Sequence, residues 1–145
     1  MKTDLSHLCD LLKGINYTVF LKDYFVPNPT GGSITELIST ALGSKVEIGG
    51  IGLVTREEAV AEVRESIDYT GDEASGPLPA KLRSVEFQDL RKRLLDEVAQ
   101  LAECSSEILT FWFQDGHPAY PVFWDFAMIF RQESGSTIFV GSSSD

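Results

Sequence analysis

The chain has 145 residues, 43% hydrophobic and 23% charged, which is the composition of one globular domain large enough to hold a core without disulfides. Its formal net charge of −10 opposes nucleic-acid phosphates and anionic membrane surfaces and favours a basic partner. Cys9 and Cys104 lack CxxC spacing, and no apolar stretch reaches the ~20 residues of a membrane span. The expectation is one cytoplasmic domain over 1–145 with reduced thiols, no metal and no cofactor; Asp4, His7 and Asp10 interrupt what a signal peptide would keep apolar.

Four helices and at least five strand segments are predicted in chain order. A helix over 4–13, capped by Thr3, carries Leu5, Leu8, Cys9 and Leu12 on one stripe and stops at Gly14. Residues 15–21, "INYTVFL", alternate as a half-buried strand, and "VPNPTGG" (26–32) is a bend. Ser33 and Glu36 form a capping box for a second helix that Gly43 closes. Residues 45–54, "KVEIGGIGLV", form an irregular strand or two short ones around a turn. A third helix opens at the Thr55/Glu58 capping box with Ala59, Val60, Val63 and Ile67 inward. Residues 70–80 form a polar, mobile loop, and a long helix spans 84–103.

The last third is all strand: 107–114, 122–131 and 137–141, with short connections, followed by a flexible tail at 142–145. The resulting fold class is α+β. It is a largely antiparallel sheet ending in a three-stranded meander, with about four helices packed on one of its faces. Eight of the fifteen aromatics fall within 111–130, on both faces of the predicted strands. A sheet with one wet face should alternate apolar with polar, so the second face must be covered by helices, a ligand or a second copy of the chain.

Two regions could carry function. Between 57 and 73, Glu57, Glu58, Glu62, Glu65, Asp68, Asp72 and Glu73 oppose the single Arg64, a net −6 that would steer a partner with a basic surface. Around 115–125, Asp115, His117 and Asp125 could do acid–base work, and His117, Tyr120, Trp124 and Asp125 could line a small-molecule pocket. Asp125 stands out because it interrupts an apolar strand, where an unpaired carboxylate would be costly. Against an enzyme stands the absence of a GxSxG elbow, an HExxH pair or a Walker lysine. "GGIGLVT" lacks the third glycine of the dinucleotide fingerprint and is followed by Glu57 and Glu58, which would oppose a phosphate. The three consecutive basic residues Arg91, Lys92 and Arg93 spread around a helix and make no patch for nucleic acid. The expected function is therefore protein binding, of the inhibitor or immunity type covering a basic partner such as a nuclease. A ligand-binding or hydrolase-like domain with its pocket at 115–125 is the alternative.

Overall fold

The long helices begin where the sequence supplies a side-chain cap. In the computed structural model, which describes residues 1–27, 33–43, 46–114 and 121–145, α1 spans Leu5–Leu12 and α2 spans Ile34–Leu42. The Ser33 hydroxyl accepts from the Glu36 N–H at 3.2 Å, and α2 stops at Gly43 in the left-handed conformation, φ 71°. Helix α3 (Arg56–Ile67) has the complete capping box: Thr55 Oγ1 accepts from Glu58 N at 3.1 Å, and the Glu58 carboxylate accepts from Thr55 N at 3.3 Å. After the short α4 (Pro79–Leu82), Ser84 caps α5 (Val85–Glu103) through the Phe87 N–H. Two helix starts depart from expectation: the Ser33/Glu36 box of α2 is formed only by its serine half, and α1 is capped one residue later than Thr3. Its cap is Asp4, which accepts from His7 N at 3.0 Å, while Thr3 donates to Glu97 instead.

The strands are β1 (Thr18–Pro27), β2 (Ile48–Val54), β3 (Glu107–Phe113), β4 (Trp124–Arg131) and β5 (Gly135–Ser144). They make one open antiparallel sheet in the order β1-β5-β4-β3-β2. The fold is thus α+β, and the three C-terminal strands are neighbours, as the short connections predict. Strand β1 begins later than the alternation suggests, because 14–17 form a turn with Asn16 at φ 46° and a bridge from Gly14 to Tyr17. It also continues to Pro27, which an edge strand tolerates. Strand β2 is a single strand with a register shift between Ile48 and Gly50, not two strands around a turn.

Helices lie on both faces, not one. Phe126, Met128, Phe130 and Phe139 of the sheet pack with Leu8 and Leu12 of α1, Val63 and Ile67 of α3, and Leu94 and Val98 of α5. Leu109, Phe111, Ile129, Ile138 and Val140 pack on the opposite face with Leu37 and Ile38 of α2. The topology explains this second layer. β1 and β2 occupy opposite edges, about 19 Å apart at the usual strand spacing, so the connection between them must cross the sheet. The nine residues of α2 supply roughly 14 Å of that crossing. A helix therefore covers the aromatic second face, and each large side chain buried there contributes about 1.5–3 kcal/mol.

Two segments read as loose are tied into this frame. In the 70–80 connection the Asp72 carboxylate accepts from the Ala74 and Ser75 amides, and Gly76 exchanges backbone hydrogen bonds with Ile15 at 3.0 and 2.9 Å. The 142–145 stretch is not a tail. Ser142 and Ser143 are 2% and 1% exposed, and β5 pairs through Ser144 with β1 and through Ser143 with β4. Removing residues 142–145 should lower the urea midpoint, with a loss of at least about 2 kcal/mol, because three strand residues leave two ladders unpaired. An unchanged midpoint would mean that this end of β5 contributes nothing to the sheet.

Candidate functional site

Burial of Ala59, Val63, Ser66 and Ile67 sets the rotation of α3, and that rotation divides the acidic run in two. Glu58, Glu62 and Glu65 follow one another at i, i+4 and i+7 along the flank nearer β4, with Tyr69 just past the helix end. Glu57, Arg64 and Asp68 lie along the other flank, where charges alternate in sign. There Asp68 binds Arg91 of α5 through two hydrogen bonds of 2.7 Å, and Arg56 reaches Glu103 at 3.5 Å. Asp72 caps its own turn, and Glu73 is exposed beyond it. The −6 stretch is therefore not one surface. Only Glu58, Glu62 and Glu65 form a stripe of a single sign, and Glu58 also closes the capping box.

Asp125 lies apart from that stripe, on the face of the sheet that α2 covers. It is the second residue of β4, pairs with Ser142, and is exposed, so no unpaired carboxylate is buried in the strand. Its charge acts on Glu62. Partial burial, then the negative charges of Asp125 and Glu65, hold the Glu62 carboxyl above the ordinary range. Glu58, Glu62 and Glu65 thus form the negative stripe on α3, and Asp125, on the opposite face of the sheet, reaches it through its charge on Glu62. Among the described residues, none of Glu62, Glu65 and Asp125 has an ion-pair partner.

An aromatic cluster sits beside the stripe. The rings of Tyr17, Tyr69 and Phe123 lie with centroids 5.5–5.8 Å apart. The Trp124 indole N–H donates to the Tyr17 hydroxyl at 2.8 Å, and its ring stacks on Phe126 at 6.0 Å. Burial pushes the Tyr17 hydroxyl up despite the hydrogen bonds from Trp124 and Ser143 that favour its ionised form. Trp124 is thus occupied in holding β4 against the turn at 14–17. Tyr17 and Phe123 lie in segments the sequence assigns to strands, but nothing local marks Tyr69 as their neighbour, since the three meet only through the fold.

Of the four residues expected to line a pocket at 115–125, Trp124 and Asp125 are adjacent in β4 and project to opposite faces of the sheet. Asp115, His117 and Tyr120 lie outside the described residues. Among the described residues no three histidine, cysteine or carboxylate groups are placed to hold a metal ion. Burial pushes the Cys9 thiol up to about 11, so at neutral pH it is a thiol and a poor nucleophile. No helix of the described residues is long and apolar enough to cross a membrane.

The raised carboxyl of Glu62 has a consequence for stability. A group that holds its proton more tightly folded than unfolded loses stability as pH rises from the ordinary carboxylate value through the folded-state value. Glu62→Gln removes that loss. It should raise the urea midpoint at neutral pH, and the difference from wild type should vanish below about pH 4, where the carboxyl is protonated in both states. Equal midpoints at neutral pH would show that the surroundings do not disfavour the Glu62 charge. No family model, curated protein or solved structure matches the chain.

Proposed function

We propose that the chain is a protein-binding domain whose acidic flank on α3 receives a basic partner, as an inhibitor or immunity-type protein covers a basic active site such as that of a nuclease. The observation that carries this reading is the row of Glu58, Glu62 and Glu65 on one flank of α3, where among the described residues neither Glu62 nor Glu65 has an ion-pair partner and the Asp125 charge adds to the repulsion at Glu62. Like charges held this close repel one another, and a cationic partner relieves the repulsion as it binds. Glu62 is already half out of water, so less desolvation remains to oppose the contact. Tyr69 and Phe123 add apolar and π surface suited to arginine at the edge of the stripe. The two free cysteines fit a reducing, cytoplasmic setting.

Charge reversal separates the two flanks. Glu62→Lys with Glu65→Lys should weaken capture of a basic partner from the source lysate at least about tenfold, and the bound wild-type complex should elute with salt. Reversing Glu57 and Glu73, which lie off the stripe, should change capture less than about twofold, within the range of rim charges. Equal losses for both pairs would mean that net charge alone, not this flank, drives association.

A further inference from the structure

The two edges of the sheet are not alike. Edge strand β1 carries Lys22, Asp23 and Pro27, side chains that discourage pairing with another strand. Edge strand β2 reads "IGGIGLV" and has no charge and no proline. Among the described residues it pairs only with β3, which leaves the hydrogen-bonding groups of its outer side without a strand. Large apolar side chains lie on and beside it: Leu53 is 72% exposed, Ile51 42%, and Trp112 of β3 55%. Ile51 and Leu53, in register with Phe111 and Leu109, share the α2 face. Trp112 lies on the opposite face.

The glycines of β2 distinguish what this chain needs from what it does not. A Cβ on Gly50 would fall 1.9 Å from the Trp112 ring and one on Gly49 would fall 2.9 Å from it, so the indole requires both. A Cβ on Gly52 would meet only the Thr110 methyl at an ordinary 3.5 Å. Among the described residues nothing requires a glycine there, although glycine weakens a strand.

We infer that β2 is a self-association edge, on which a second copy pairs its own β2 antiparallel about a two-fold axis at Ile51. That register places Gly52 opposite the second copy's Gly50 on one face, so the indole lying over each Gly50 meets a neighbour with no side chain and can extend across it. On the other face Ile51 meets its symmetry mate, and Leu53 passes beside a glycine. The occupant is a second copy because the strand is complementary to itself in size under this one operation, with the indole over Gly50 facing the open position at Gly52. Seven residues per strand bury less than a standard interface, so the dimer is weak and depends on concentration.

Sedimentation equilibrium on the full chain, from low micromolar to millimolar concentration, tests this. The wild-type mass should rise from 16.0 kDa toward twice that value. Leu53→Lys, a change at an exposed position, and Gly52→Val, which sets a side chain under the second copy's Trp112, should each weaken the dimer at least about tenfold with unchanged far-UV circular dichroism. A mass of 16.0 kDa throughout, or a dimer that survives Leu53→Lys, would overturn the inference.

Discussion

The pairing of β5 with β1 on one side and β4 on the other is the constraint on which the other elements depend. β1 enters the sheet through β5 alone, across a ladder running from Thr18 opposite Ser144 to Pro27 opposite Gly135. With β1 fixed at one edge and β2 at the other, α2 has to cross the second face, and its Leu37 and Ile38 cover Ile129, Ile138 and Val140. The other side of β5 holds β4, whose Phe126, Met128 and Phe130 form the floor for α1, α3 and α5. Gly141 sits at the centre of this arrangement, where a Cβ would fall 2.5 Å from the Phe126 ring and 2.9 Å from Leu21. The absence of a side chain there lets the three strands pack as closely as they do.

From that frame the candidate site follows. α3 packs on β4 through Val63 and Ile67, which leaves Glu58, Glu62 and Glu65 along one flank of the helix. The negative stripe therefore belongs to α3, and Asp125 acts on it through its charge at Glu62. Its other neighbour, the Tyr17, Tyr69 and Phe123 cluster, joins the start of β4 to the turn at 14–17. Electrostatic repulsion within the surface is tolerated because the packing beneath it is deep and apolar. The fold disfavours the charge on Glu62, and a nearby cation would favour it.

What the sequence discloses here follows the range of the interactions. Helix starts are local hydrogen-bonding chemistry, so Ser33, Thr55 and Ser84 are legible within a residue. The start of α1 is less so, because Thr3 and Asp4 can both cap and the distant Glu97 takes Thr3. The meander is legible because its turns are short. "GSSSD" reads as a tail because small polar residues carry no periodic signal. Ser142 and Ser143 are buried all the same, by strands more than a hundred and about twenty residues away in sequence. Asp125 appears misplaced only if its strand is central along its whole length, whereas it lies at an exposed end. The acidic run is plain in the sequence. Its division into a paired flank beside Arg91 and an unpaired one at Glu62 and Glu65 depends on which side of α3 is buried, and that is a tertiary fact.

The measurement that bears most directly on this account is the titration of the Glu62 carboxyl by NMR in the wild type and in Asp125→Asn. If burial and the neighbouring charges disfavour ionised Glu62, it titrates above the ordinary carboxylate range in the wild type and moves down toward it when the Asp125 charge is removed. An ordinary value in the wild type, or a raised value that does not respond to Asp125→Asn, would mean that the Asp125 charge does not reach Glu62, and the electrostatic account of the site would fall with it.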